Sequence, residues 1–118
     1  MTVLIPPSPT TPYATIPADR QGLSTLPLAE LIAAYKRYGA VLLRGFEVDL
    51  TQFRDLTRSL CTGSVFNESG GRLVIDREQN IQTVNLGFEP FPLHPELSRE
   101  PWKPDICFFW CMNAPSKG

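Results

Sequence analysis

The stretch Val84-Asn-Leu-Gly-Phe-Glu-Pro-Phe-Pro-Leu-His-Pro-Glu-Leu97 contains the only histidine of the 118 residues. Prolines on both sides of His94 keep the backbone extended. In an extended chain, His94 and Glu96 point to the same side with their Cα atoms ~6.5–7 Å apart, so an imidazole nitrogen and a carboxylate oxygen can converge on one ion. The His-x-Glu spacing suits two ligands of a 2-His-1-carboxylate site for Fe(II), and an ordinary polar surface histidine is the alternative that the spacing alone leaves open.

The residues on either side of this stretch read as β-structure. Arg72–Ile75 and Ile81–Leu86 are short apolar runs that predict strands. Asp105–Met112 predicts a further strand that is apolar on both faces and hence covered on both sides. Its two cysteines, Cys107 and Cys111, would lie ~13 Å apart on a strand, so we interpret them as core residues rather than as a disulfide or metal pair.

The first half of the chain predicts two amphipathic helices and one buried strand. Leu28, Leu31, Ile32 and Tyr35 recur at helical spacing, which indicates a helix over 26–38 that ends at Gly39. The apolar run Ala40–Leu43 is typical of a buried strand. Asp49 and Gln52 resemble a capping box before a second helix, Leu50–Leu60.

Residues 1–22 form a proline-rich N-terminal arm, and residues 23–118 form the domain that follows it. Five of the twelve prolines lie within the first 17 residues and exclude a helix there. The arm either packs on the domain or forms a disordered tail, and the sequence leaves both alternatives open.

The composition excludes several classes of partner. Eleven basic and twelve acidic residues give a net charge of −1, which provides no basic footprint for nucleic acid or an anionic membrane. The longest apolar run is seven residues, far short of the ~20 that span a bilayer. Three cysteines without close-spaced partners favour a reducing compartment. We therefore expect a soluble cytoplasmic protein.

The order of these segments resembles the TauD/TfdA (clavaminate-synthase-like) family of Fe(II)- and 2-oxoglutarate-dependent dioxygenases. The resemblance starts with Gly39-Ala-Val-Leu-Leu-Arg-Gly-Phe46, and its most distinctive part is Leu93 to Gly118. It implies an α+β fold, the N-terminal part of a double-stranded β-helix (jelly-roll) with flanking amphipathic helices. It also implies Fe(II) as cofactor, 2-oxoglutarate and O₂ as cosubstrates, and a small-molecule substrate.

Carried over to this chain, the resemblance makes His94 and Glu96 catalytic residues and the first two iron ligands. Related halogenases have a small residue at the acidic position, so Glu96 favours hydroxylation, by family analogy of an amino acid or a natural-product intermediate. The third ligand, a histidine, and the arginine that binds 2-oxoglutarate are expected beyond residue 118.

Just upstream of the ligand pair, Gln82, Val84 and Asn85 are expected to border the substrate pocket. An equally open reading of Asn85 is that it satisfies backbone groups at a strand end.

Three hypotheses follow from the residues and the resemblance. The first is that the chain is the N-terminal portion of an oxygenase and that the 118 residues alone are inactive. The second is a truncated non-catalytic jelly-roll that serves as a binding or interaction module. The third is a small α+β structural domain in which the His-x-Glu pattern is incidental. The oligomeric state stays open.

Overall fold

The computed structural model describes residues 2–85, 87 and 89–117, so Leu86, the predicted end of a strand, lies outside the described residues. The chain divides into two compact units, residues 1–60 and 61–118. In chain order the elements are β1 (Ala14–Pro17), a short 3-10 helix (Leu23–Thr25), α1 (Leu28–Tyr38), β2 (Val41–Arg44), α2 (Leu50–Leu60), β3 (Val74–Asp76) and β4 (Ile81–Gln82).

The first unit is built around a parallel pair of strands. β1 pairs with β2 from Ala14 opposite Val41 to Pro17 opposite Arg44. Parallel strands need a crossover connection, and α1 supplies it. Ala14 and Ile16 are 0% and 2% exposed, so alternate residues of β1 enter the core. Ile5 also forms a bridge with Thr15, so residues on both sides of the first prolines make backbone contacts within this unit.

Helix α1 forms where the helical spacing predicts it, with a later start. Pro27 occupies the N-cap position, and neither Ser24 nor Thr25 caps the helix, because both lie in the preceding 3-10 helix. Gly39 ends α1 at φ 78°, the left-handed conformation expected of a C-terminal glycine. The buried residues of the helix are Leu31 and Ala34.

Helix α2 has the predicted bounds and half of the predicted capping box. The Gln52 backbone N–H donates to Asp49 Oδ1 at 2.8 Å. The Gln52 side chain does not return to Asp49; its Oε1 accepts a hydrogen bond from the Leu23 backbone N–H at 2.8 Å. This bond ties α2 to the 3-10 helix over the core of the unit, which comprises Ile16, Leu23, Leu26, Leu31 and Leu56.

The second unit contains a short antiparallel hairpin. β3 and β4 pair with Val74 opposite Gln82, and the turn between them contains Asn80 at φ 53°. Both strands fall within or beside the predicted runs, but each is shorter. After β4, hydrogen bonds of the Asn85 side chain, described below, continue the contacts between the two arms of the hairpin.

The predicted central strand at Asp105–Met112 is wrong for the described part of the chain, where this segment forms no regular strand and no β-bridge. Its alternation persists, since Ile106, Phe108 and Trp110 are half-buried while Cys107, Phe109 and Cys111 are exposed. Side-chain periodicity reports that alternation, whereas a strand also requires a pairing partner that the pattern does not reveal. The interpretation of Cys107 and Cys111 as core residues is also wrong, because both are exposed when the segment lacks a pairing partner.

The described residues thus form a mixed α/β architecture of two helices and two small sheets. This agrees with the predicted α+β class, and these residues do not form a jelly-roll. No helix among them is long and apolar enough to cross a bilayer.

Candidate metal centre

The two predicted ligands lie next to each other in the second unit. His94 Nε2 is 3.5 Å from Glu96 Oε1. His94 lies in a proline-flanked segment without regular secondary structure, and Glu96 begins the turn that follows this segment. The two side chains are 46% and 28% exposed, so the pair is accessible from solvent. The imidazole and the carboxylate are therefore close enough to share one ion.

A backbone carbonyl fixes which imidazole nitrogen carries a proton. His94 Nδ1 lies 2.9 Å from the carbonyl oxygen of Pro92. A carbonyl oxygen only accepts hydrogen bonds, so Nδ1 must be the donor. In the neutral ring, Nε2 then holds the free lone pair. The lone pair belongs to the nitrogen that lies beside Glu96.

This arrangement fits a bound cation. Neutral Nε2 and an ionised carboxylate are both acceptors, so at 3.5 Å they attract each other only through a shared proton or metal ion. Metal–nitrogen and metal–oxygen bonds of about 2.0–2.2 Å place neighbouring ligand atoms roughly 3 Å apart. Metal-bound histidines also commonly donate their second ring N–H to a backbone carbonyl, as His94 does to Pro92.

The described residues provide two donors and no complete site. No group of three or more His, Cys, Asp or Glu side chains that could hold a metal ion occurs among residues 2–85, 87 and 89–117. The donor set of one imidazole and one carboxylate matches two positions of a 2-His-1-carboxylate centre. The third position has no donor in the described part of the chain.

Cys107 lies within range of the Glu96 charge, a relationship that the sequence does not reveal. Partial burial, and then the negative charge of Glu96, raise the pKa of the Cys107 thiol. The thiolate is the form that binds metals, and both effects oppose its formation. Cys107 is therefore a poor candidate for the missing ligand. Its alternating apolar segment predicts a core position and carries no signal of a neighbouring carboxylate.

The three predicted substrate residues occupy a different setting, at the hairpin. Gln82 Oε1 accepts from the Asn67 backbone N–H at 2.9 Å, and Gln82 Nε2 donates to the Asn67 carbonyl at 2.8 Å. Both ends of this amide therefore hold the loop that contains Asn67. Val84 is 58% exposed.

Asn85 is bound to the same loop. Its Oδ1 accepts from Arg72 Nε at 2.6 Å, and its Nδ2 donates to the Gly70 carbonyl at 3.2 Å. The bond to Gly70 is a backbone contact of the kind that the alternative reading of Asn85 expects. Gln82 and Asn85 thus form side-chain hydrogen bonds with this loop, whereas the side chain of Val84 is apolar and forms none.

Two cavities lie in the first unit. One, of 340 Å³, lies between α1 and the start of the arm, and the other, of 230 Å³, lies between α2 and the 3-10 helix. Neither includes His94 or Glu96. The candidate metal centre is thus an open surface pair rather than a residue set inside a cavity.

Comparison with known proteins gives one match. The sequence profile described as "Taurine catabolism dioxygenase TauD, TfdA family" matches residues 8–118, nearly the whole chain. Searches of curated proteins and of solved structures gave no match.

Proposed function

The chain belongs to the TauD/TfdA dioxygenase family, and from that premise we propose that it provides the first two iron ligands of an Fe(II)- and 2-oxoglutarate-dependent hydroxylase. One observation carries the proposal: His94 Nε2 lies 3.5 Å from Glu96 Oε1, while the other ring nitrogen, Nδ1, lies 2.9 Å from the Pro92 carbonyl oxygen. Proteins of this family generally use Fe(II), 2-oxoglutarate and O₂ and act on small molecules.

The residues of this chain hold and orient the ion. When bound, the iron supplies activation of O₂ coupled to decarboxylation of 2-oxoglutarate. The Pro92 carbonyl keeps the imidazole in the tautomer that exposes Nε2, and the Glu96 carboxylate adds a negative charge to the same position. Glu96 fills the position that a small residue leaves vacant in related halogenases, which favours hydroxylation.

The remaining parts of the centre are proposed to lie outside the 118 residues. A second histidine would complete the ligand set, and an arginine would pair with the distal carboxylate of 2-oxoglutarate through two parallel hydrogen bonds. The two-donor set of the described residues agrees with this division. The 118-residue chain alone is accordingly expected to be catalytically inactive.

The substrate is proposed to be an amino acid or a natural-product intermediate, and the reaction is proposed to take place in the cytoplasm. Gln82 and Asn85 use their amides to hold the loop 67–72. We assign them to the wall of the substrate pocket, as residues that shape it. Val84, which follows β4 and has an exposed apolar side chain, is the residue of this segment available for direct contact.

The test is 2-oxoglutarate consumption by the complete enzyme that contains this chain. Turnover is expected to require Fe(II) and to disappear in Glu96→Ala, whereas Glu78→Ala, which removes an exposed carboxylate of the same unit outside loop 67–72, keeps the wild-type rate. Unchanged turnover in Glu96→Ala would remove Glu96 from the iron. Absence of turnover in the iron-loaded wild type would favour the non-catalytic binding module instead.

A further inference from the structure

An aromatic ring packs against the candidate ligand His94. The ring centroids of Phe91 and His94 are 4.5 Å apart, and the ring planes meet at 86°, an edge-to-face arrangement. Phe91 is otherwise 78% exposed. Aromatic rings favour this geometry, in which the positive edge of one ring meets the negative face of the other. Phe91 is therefore largely exposed to solvent, yet its ring forms a specific edge-to-face contact with the His94 imidazole.

Together with the Pro92 carbonyl, this contact restricts the imidazole. The carbonyl sits on a residue whose ring fixes φ, so the acceptor for Nδ1 is held on a stiff backbone. A half-turn of the imidazole about its Cβ–Cγ bond would exchange Nδ1 for a carbon and lose that bond. A half-turn keeps the ring plane and hence the edge-to-face contact, so this contact opposes other motions: tilts of the ring plane and the alternative positions open to a half-exposed side chain.

We propose that Phe91 is a positioning residue that holds the His94 imidazole with Nε2 toward Glu96 before any metal binds. This rests on the proposed role of His94 as an iron ligand. A ligand side chain that is already oriented loses less conformational entropy when the metal binds. This smaller entropy loss increases the affinity for the metal. A contact of this type corresponds to roughly a 2- to 10-fold change in affinity.

Leu93 provides a matched control. It is the residue before His94 and is 104% exposed, so its side chain packs on nothing. Removing Leu93 subtracts an exposed apolar side chain from the same segment without removing a contact with the imidazole. A general effect of lost surface hydrophobicity would appear equally in the Leu93 and Phe91 variants, whereas a positioning effect would appear only in the Phe91 variant.

The experiment uses the 118-residue chain, in which His94 is the only histidine and gives one set of imidazole NMR signals. Wild type, Phe91→Leu, Phe91→Tyr and Leu93→Ala are each observed without metal and during titration with Co²⁺. In metal-free Phe91→Leu, the His94 ring protons are expected to lose the ring-current shift caused by Phe91, and the ring nitrogens to report a mixture of tautomers. Its Co²⁺ dissociation constant should rise roughly 2- to 10-fold.

Phe91→Tyr retains the ring and should restore both readouts, and Leu93→Ala should match the wild type. Equal Co²⁺ binding by wild type and Phe91→Leu would overturn the positioning role alone, as would equal weakening in Leu93→Ala. Unchanged metal-free ring signals in Phe91→Leu would show that the contact does not orient His94. Absence of Co²⁺ binding in all four chains would overturn the metal role of His94 in this chain, whereas absence of Fe(II)-dependent turnover by the complete enzyme is the separate outcome that would overturn the proposed function.

Discussion

Replacement of Gly45 by alanine tests how closely the arm packs on the first unit. Gly45 follows β2 at φ 83°, in the left-handed region. A Cβ atom at this position would lie 2.3 Å from the Ala18 carbonyl oxygen. Two backbone hydrogen bonds frame this approach: Ala18 N–H donates to Arg44 at 2.8 Å, and Arg20 N–H donates to Gly45 at 2.9 Å. The added methyl group therefore requires the two backbones to separate.

Gly39 gives the reference for the expected magnitude, because its φ of 78° is nearly the same and nothing lies within 4 Å of its Cβ position. The left-handed conformation costs alanine about 1–2 kcal/mol. Reduced freedom of the unfolded chain offsets about 0.4–1 kcal/mol of that. Gly39→Ala should thus destabilise by about 1 kcal/mol. Gly45→Ala should lose in addition two hydrogen bonds of about 0.5–1.5 kcal/mol each, for a total of about 2–4 kcal/mol.

Urea unfolding followed by far-UV circular dichroism measures this difference, because both α-helices of the described chain lie in the first unit. Trp102 and Trp110 lie in the second unit, so tryptophan fluorescence follows that unit separately. Gly45→Ala is expected to lower the helix midpoint clearly more than Gly39→Ala. Equal destabilisation by the two variants would show that the arm does not approach Gly45, and would refute the packing of β1 against β2.

Two further variants test single side-chain contacts. Gln82→Ala should destabilise the second unit by about 1–3 kcal/mol, because it removes both partners of the Asn67 backbone, whereas Gln79→Ala should not; urea unfolding by tryptophan fluorescence measures both. The hydrogen bond from Thr2 lowers the pKa of Glu30, so the bond stabilises the arm above the ordinary carboxyl value of about 4.3 and is lost as pH falls through the lowered value. The Thr2 amide NMR signal should titrate in wild type and stay constant in Glu30→Gln, and titration in the variant would exclude Glu30 as its cause.

Local signals in the sequence account for most of the first unit. Helix α2 has the predicted bounds, since apolar spacing and the Asp49 cap act within a few residues. The end of α1 at Gly39 is likewise predicted from residues close to it in the sequence. Strand β1 was not predicted, because its parallel pairing joins Ala14 to Val41 through a connection that no short-range pattern encodes. The same limit explains the shorter strands of the second unit and the absent strand at 105–112.

The candidate site also combines features that the sequence predicts with features that it does not. Extended spacing predicts that His94 and Glu96 share a side, and the structure places them 3.5 Å apart. The Pro92 carbonyl and the Phe91 ring act on His94 from within three residues, yet the sequence pattern does not show which atom of a neighbour faces the imidazole. The proximity of Cys107 to Glu96 depends on folding over a longer stretch, and residue type alone gives no sign of it.

The central claim is that His94 and Glu96 bind one iron ion together. Anaerobic calorimetric titration of Fe(II) into wild type, His94→Ala, Glu96→Ala and the double variant tests it as a double-mutant cycle. If both donors serve one ion, binding by the 118-residue chain is weak, each single variant abolishes it, and the double variant is no worse than either single one. Wild-type affinity in either single variant, or losses that simply add in the double variant, would contradict a shared iron site.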